Sequence, residues 1–105
     1  MVILEFGISP LGEGESVSPY VARCLEIVEQ SGLEYQLHAM GTLVEGKLDQ
    51  VLGVMQRCIE ATAADCPRVT CSAKLDYRRG HSGRLHSKVA SVEEKLGRNS
   101  KKTTD

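Results

Sequence analysis

A stretch of polar residues near the middle of the chain could bind a small molecule. His38-Ala39-Met40-Gly41-Thr42 is followed closely by Glu45. An imidazole, a hydroxyl and a carboxylate gathered near the ends of two strands could hold a polar ligand. The alternative is a β-bulge that turns the same polar groups to solvent.

A second candidate is the glycine-containing loop of residues 9–16. It leads into a helix that should begin at Ser18-Pro19, and glycine loops in that position often bind phosphate through backbone N–H groups. Glu13 and Glu15 would repel an anion, and the loop matches neither the P-loop nor the dinucleotide-binding pattern. We expect either a mobile connection or a loop that contacts a ligand other than a phosphate.

The spacing of the cysteines and histidines does not favour a metal site. Cys66 and Cys71 are five residues apart, as are His81 and His86, whereas structural zinc pairs are usually two to four apart. Cys71 also belongs to an apolar strand face. We therefore expect no metal and no cofactor.

The four cysteines are predicted to be reduced and buried as small apolar residues. Cys24 and Cys58 fall on apolar helix faces. Residues 1–5 lack the basic region of a signal peptide, and no apolar run is long enough to span a membrane. We therefore expect a cytoplasmic protein without a disulfide framework.

Catalysis and RNA binding both lack a recognisable set of residues. None of the three histidines has a local partner that would mark a catalytic site, so we expect a protein that is not an enzyme. Phe6 and Tyr77 share the parity of the buried strand faces, which leaves no aromatic platform for RNA. An RNA-binding or regulatory oligomerisation module is the alternative function.

The elements that would position these residues follow from the periodicity of apolar residues. A first strand over 2–9 should end at Pro10, and the helix from Ser18 should end at Gly32. Alternation predicts further strands over 33–40, 42–44 and 68–77. A second helix carries an apolar stripe and is closed by Cys66-Pro67; its stripe comprises Leu48, Val51, Leu52, Met55, Cys58 and Ile59.

A third helix and a tail complete the chain. The helix should carry the seam Leu85, Val89, Val92 and Leu96 and end at Gly97, and the polar tail of residues 98–105 should be disordered. The order β-α-β-β-α-β-α predicts an α+β protein with one ferredoxin-like domain over residues 1–97, in which two helices cover one face of a four-stranded antiparallel sheet. The 105 residues, 41% apolar and 26% charged, suit one such domain.

The face of the sheet opposite the two helices is expected to be open but mixed in character. Ile3, Met40 and several small residues should lie there, so the third helix or another subunit should cover part of it. Gly7 should leave a hollow on this face between larger neighbours. A ligand could occupy that hollow, or a site shared between subunits.

Charge is distributed unevenly along the chain. Residues 1–67 carry 10 acidic and 3 basic side chains, and residues 68–105 carry 4 acidic and 10 basic ones. A basic half can indicate nucleic acid, but these basic residues are scattered over a strand, a loop, a helix and the tail. We therefore expect charge pairing within or between subunits.

Three motifs resemble the small thiamine-binding protein family, and the likeness covers nearly all of residues 2–96. The stretch from His38 to Thr42 is its most specific part, and the helix beginning near Lys88-Val89 is similar too. The motifs are Phe6-x-x-x-Pro10-x-Gly12-x-Gly14-x-Ser16-x-Ser18, His38-x-Met40-Gly41-Thr42-x-x-Glu45-Gly46 and Lys74-x-Asp76-x-Arg78.

The resemblance implies a ferredoxin-like fold, dimers that pair into a tetramer, and binding of thiamine or its pyrimidine moiety without catalysis. An acidic loop suits a cation, and Met40 could form an apolar floor. Neither a membrane nor a nucleic acid is expected as a partner. Carboxylate, amide, hydroxyl and backbone groups could contact the ligand at Glu5, Gly7, Ser9, Gly12, Ser16, Ser18, Gln36, His38, Met40, Gly41, Thr42 and Glu45.

Overall fold

A computed structural model describes residues 1–12 and 18–80 of the chain. Four strands form one sheet in the order β2-β3-β1-β4, and every neighbouring pair is antiparallel. The predicted α+β class, with two helices and a four-stranded antiparallel sheet, is confirmed. The elements are β1 (Val2–Leu11), α1 (Ser18–Gln30), β2 (Glu34–His38), β3 (Gly41–Gly46), α2 (Leu48–Ala63) and β4 (Arg68–Tyr77).

The core lies between the helices and one face of the sheet. β1 is central, and alternate β1 residues pack on the helices; Leu4, for example, pairs with Val44 on one side and Leu75 on the other. Burial of these side chains stabilises the fold by about 25 cal/mol for each Å² of apolar surface removed from water. The buried cluster comprises Val2, Leu4, Phe6, Val28, Val44, Val51, Val54 and Cys58.

Both helices have recognisable ends. α1 ends at Gln30, and Gly32 follows with φ +75°, a conformation that favours glycine after a helix. At the start of α2, the Lys47 backbone N–H donates to Gln50 Oε1 at 2.9 Å, which satisfies a backbone donor that has no partner inside the helix. Both helices therefore lie close to their predicted positions in the sequence.

The first strand is longer than predicted, because Pro10 does not end it. The ladder between β1 and β3 stops at Phe6 and Thr42, whereas β1 continues to pair with β4 as far as Leu11 and Arg68. Beyond Phe6, β1 is therefore an edge strand on its β3 side. An edge position tolerates proline, which has no N–H to donate.

The β2–β3 hairpin also differs from its prediction. β2 ends at His38 and β3 already begins at Gly41, so Ala39 and Met40 form the turn instead of prolonging β2. β3 extends to Gly46, two residues beyond the predicted end. The end of β2 was predicted too late because the alternation of apolar residues continues through the turn in which the chain reverses.

Four of the five residues on the predicted buried face of β4 are exposed, namely Cys71, Ala73, Leu75 and Tyr77. Tyr77 retains 59% of its surface. Their parity is as predicted, since Cys71 pairs with Ile8 and Tyr77 with Val2. β4 is the edge strand of the sheet, however, and the described helices cover its face incompletely.

The sheet face opposite α1 and α2 is closed at one end. Ile3 and Glu45 pair across β1 and β3 on this face and are only 8% and 4% exposed within a single chain. Glu5, one step along β1, is exposed. The predicted third helix, with its seam from Leu85 to Leu96, and the predicted tail of residues 98–105 lie outside the described residues.

The two outer ends of β1 and β4 are tied together. The amino group of Met1 donates to the Arg78 carbonyl oxygen at 3.2 Å, and the Arg78 N–H donates back to the Met1 carbonyl at 3.2 Å. Among the described residues, neither helix combines the length and apolar character needed to cross a membrane.

Candidate functional site

A cavity of about 410 Å³ lies between α1 and the end of the sheet where β2 turns into β3. Its walls come from β1, the first half of α1 and the β2–β3 hairpin, with single residues from α2 and β4. The volume falls within the roughly 300–1,000 Å³ typical of small-molecule sites. The cavity lies mainly on the helix side of the sheet, whereas the ligand was expected on the opposite face or at a site shared between subunits.

The cavity exists because β1 is longer than the hairpin that pairs with it. β3 leaves β1 after Phe6, so residues 7–11 of β1 have β4 as a neighbour on one side only. The helix-facing side chain of Ile8 and the opposite-facing side chain of Ser9 both line the resulting gap. The end of the hairpin forms the adjacent wall.

Two glycines allow the hairpin to approach the backbone of β1. A Cβ atom added to Gly41 would lie 2.7 Å from the Phe6 carbonyl oxygen, a distance that no side chain can adopt without displacing the backbone. A Cβ atom on Gly7 would lie 3.3 Å from the Met40 carbonyl oxygen. The hairpin turn therefore occupies part of the space that was predicted as a hollow at Gly7, although Gly7 itself lines the cavity.

The Met40 side chain does not form the predicted apolar floor. Met40 is 86% exposed, so its side chain projects into solvent, and the backbone of the turn makes the close contact with Gly7. The apolar lining comes instead from α1 and from strands β1 and β2. It includes Phe6, Ile8, Val21, Leu25 and Leu37.

His38 is held by the turn that it precedes. Its Nδ1 accepts a hydrogen bond from the Met40 N–H at 3.2 Å, so the neutral ring carries its proton on Nε2. Nε2 lies 3.3 Å from Glu5 Oε2, but the angle lies outside hydrogen-bond geometry, and this buried nitrogen has no hydrogen-bond partner. His38 thus has one fixed nitrogen and one nitrogen that a better-aligned acceptor could engage.

Hydroxyl groups supply most of the remaining polarity of the cavity. Ser9, Thr42 and Ser72 line it from three strands, and Thr62 lines it from α2. Among the described residues that line the cavity, none is Lys, Arg, Asp or Glu. A phosphate would therefore meet no fixed cation from this lining.

Cys24 contributes a thiol to the cavity wall from α1. Its Sγ lies 3.6 Å from Thr62 Oγ1. Contact with the Cys58 side chain lowers the pKa of Cys24; Thr62 and the nearby Arg23 charge act in the same direction, and burial opposes them. Ionisation of this wall residue is therefore favoured relative to an ordinary cysteine.

Half of the predicted ligand-binding residues line the cavity. Glu5, Gly12, Gln36 and Glu45 do not. Ser16 lies outside the described residues, as do Glu13 and Glu15, and Ser18 begins α1 without a described side chain. The six residues that meet at the cavity are Gly7, Ser9, His38, Met40, Gly41 and Thr42.

The position of Glu45 explains why it is excluded. It pairs with Ile3, four residues before Gly7 along β1, which is about 13 Å at the rise of an antiparallel strand. Proximity to Thr42 in the sequence suggested a shared site. β3 instead carries Glu45 away from the turn.

Sequence reasoning missed the contribution of α1. Tyr20, Val21, Cys24 and Leu25 all line the cavity, and they were assigned only to the core or not assigned at all. One signal was available, since Val21 and Leu25 share a helix face directly after the candidate loop. That face is only partly buried, which is typical of a wall next to a cleft.

The family pattern described as "Thiamine-binding protein" matches residues 4–93, which is most of the chain. The chain belongs to this family. A UPF0045 protein of Mycobacterium bovis is 42% identical over 96 residues, which cover 90% of this chain and 94% of the relative. The family supports a role in binding a small molecule.

Solved structures of similar proteins support the same fold. A hypothetical protein from Methanocaldococcus jannaschii matches with a TM-score of 0.81 at 34% identity, covering 89% of this chain and 96% of that one. A Thermotoga maritima protein, provisionally assigned to thiamine biosynthesis or salvage, matches with a TM-score of 0.76 at 19% identity. That match covers 87% of this chain and 97% of that one, and at this identity it shows the fold alone.

Proposed function

We propose that this member of the thiamine-binding protein family binds thiamine, or its pyrimidine moiety, in the cavity between α1 and the β2–β3 hairpin. The observation that carries the proposal is the position of the family-like stretch from His38 to Thr42, which forms one wall of that cavity. In this proposal the protein releases the ligand without changing it chemically.

The polarity of the cavity supports an uncharged or cationic ligand over a phosphorylated one. Described lining residues supply no ammonium or guanidinium group for a phosphate. The lowered pKa of Cys24 favours negative charge in the wall. Both features favour the thiazolium cation of thiamine over its phosphate esters.

Hydrogen bonding in the cavity suits an aminopyrimidine and a hydroxyl. The His38 Nε2–H is buried 3.3 Å from Glu5 Oε2 without a hydrogen bond, so a ring nitrogen of the ligand would accept from it by displacing Glu5. The Thr42 and Ser9 hydroxyls can each donate or accept, which matches an amino group or the hydroxyethyl group of thiamine. Apolar side chains from α1 would cover the faces of the rings.

The arrangement around His38 supports binding without turnover. A nucleophile would need a base aligned with it, and the two ring nitrogens are directed at the Met40 N–H and at Glu5. No described contact joins the imidazole to the Cys24 thiol or to a hydroxyl. We therefore assign the site to binding and not to catalysis.

Self-association through the β4 edge completes the proposal. β4 is ten residues long and lies at the end of the sheet, where its outer edge has no strand partner among the described residues. Leu75 and Tyr77 are exposed beside it. A second copy could pair with this edge and cover these side chains, giving the dimer from which the predicted homotetramer would be built.

Calorimetry with a matched pair of variants tests the binding site. Thr42→Val removes a hydroxyl from the cavity at nearly constant volume, whereas Tyr35→Phe removes a hydroxyl from β2 outside it. We expect the first variant to weaken thiamine binding by about 1 kcal/mol, roughly fivefold, and the second to leave it unchanged.

Two controls define the outcome of that experiment. Chromatography of the incubated mixture should recover thiamine unaltered, and thiamine diphosphate should bind more weakly than thiamine. Wild-type protein that shows neither heat of binding nor a thermal shift with thiamine or hydroxymethylpyrimidine would refute the proposal.

A further inference from the structure

Two cysteines from different helices face each other where α1 packs on α2. The Cys58 thiol donates to the Cys24 carbonyl oxygen at 3.6 Å, and the Cys24 Sγ lies 3.8 Å from the Cys58 carbonyl oxygen. Each sulfur thus contacts the backbone of the other residue. Although 34 positions separate them in the sequence, the two thiols form one local cluster.

The two thiols differ in their access to solvent. Cys58 is completely buried in the core, whereas Cys24 is half-buried and lines the cavity. A small oxidant that enters the cavity would therefore meet Cys24 first. Cys58 has no surface exposed to such an oxidant.

The two thiols also differ in acidity, in the same sense as their access. Contact with Cys58 lowers the pKa of Cys24, while the same contact and burial raise the pKa of Cys58. Partial burial also raises the pKa of Cys71, although much of the surface of this residue is exposed. Cys24 therefore combines access with thiolate character, the pattern of a redox-sensitive cysteine beside a resolving one.

We propose that Cys24 and Cys58 form a peroxide-sensitive pair that closes into a disulfide between α1 and α2. The Cys24 thiolate attacks one oxygen of hydrogen peroxide, so an S–O bond forms, the O–O bond breaks and hydroxide leaves. Cys58 gives its proton to that hydroxide, and its sulfur attacks the Cys24 sulfenic acid. The S–S bond forms as the S–O bond breaks, and the departing hydroxyl takes up a proton to leave as water.

The electrons balance over the two steps. The two thiols lose two hydrogen atoms in total, and one hydrogen peroxide is reduced to two molecules of water. A dithiol reductant reverses the change. The disulfide would join α1, which lines the cavity, to α2, which packs in the core.

Peptide mapping of the wild-type protein tests the pair directly. The folded protein is treated with hydrogen peroxide, denatured, alkylated with iodoacetamide and digested. We expect a linked peptide pair containing Cys24 and Cys58, with Cys66 and Cys71 alkylated, and we expect dithiothreitol to remove the link. A folded, peroxide-treated protein in which all four cysteines are alkylated would overturn the proposal.

Variants separate the roles of the two sulfurs. Cys24→Ser should abolish the link, and Cys71→Ser should leave it intact as the matched control. Cys58→Ser should stop the reaction at a sulfenic acid on Cys24, which dimedone traps. If the Cys58 substitution prevents folding, the wild-type map decides, and a link through Cys71 in place of Cys24 would also overturn the proposal.

Discussion

Gly41 approaches β1 so closely that an added methyl group would lie 2.7 Å from the Phe6 carbonyl oxygen. This contact fixes the distance between the β2–β3 turn and β1, and so sets one wall of the cavity. We expect Gly41→Ala to displace the turn and to cost about 1–3 kcal/mol of folding free energy. Urea denaturation would measure the loss, and an unchanged midpoint would contradict it.

A glycine in α2 provides the matched control for that substitution. A Cβ atom on Gly53 would lie 3.6 Å from Arg57 Nη1, which is ordinary van der Waals contact with a flexible side chain. Gly53 lies inside a helix, where alanine is preferred. Gly53→Ala should therefore stabilise the protein by about 0.5–1 kcal/mol in the same denaturation experiment.

The Cys24 thiol should react faster than the Cys71 thiol near neutral pH. Because its pKa is lowered, Cys24 stays partly ionised as the pH falls. Because its pKa is raised, Cys71 is almost fully protonated throughout the neutral range, and its small thiolate fraction falls steeply with falling pH. Alkylation by iodoacetamide, followed by mass spectrometry between pH 6 and 8, should show a weaker pH dependence for Cys24. A parallel pH dependence for the two thiols would contradict this assignment.

Thiamine should protect Cys24 from alkylation but not Cys71. Cys24 lines the proposed ligand cavity, while Cys71 is exposed on the edge strand. The rate at Cys71 serves as the internal control for any effect of thiamine on the reagent. Equal rates at Cys24 with and without saturating thiamine would place the ligand elsewhere, whatever its affinity.

Leu75 and Leu52 allow a matched test of assembly through β4. Both are 39% exposed, but Leu75 lies on the edge strand and Leu52 on α2. Leu75→Glu should shift the protein to a smaller species in light scattering, because it places a charge in the proposed interface. Leu52→Glu should not, and a monomeric wild-type protein at micromolar concentration would exclude the interface.

Local sequence signals were sufficient to predict α1, α2 and the four strands in their order along the chain. Ser18-Pro19 and Gly32 mark α1, and alternation marks β1 and β4. The end of β1 was predicted too early because Pro10 was expected to break the strand. Whether a strand tolerates a proline depends on which neighbours pair with it, and that is a property of the whole sheet.

The candidate site was predicted only in part, for a related reason. His38 and Thr42 were identified because turn and hydroxyl chemistry can be recognised locally. Glu45 was grouped with them by sequence distance, although strand geometry separates them. The contribution of Cys24 could not be predicted, because it depends on how far the hairpin extends along β1.

The central strand of the sheet is also the first to be synthesised. β1 pairs with β4, and Met1 exchanges backbone hydrogen bonds with Arg78 at the opposite end of the described fold. A nascent chain on the ribosome therefore carries an apolar strand whose second partner emerges some 70 residues later. The sheet can close only once β4 has left the exit tunnel, so folding should occur late and in one step, with the interval before closure as the time of greatest aggregation risk.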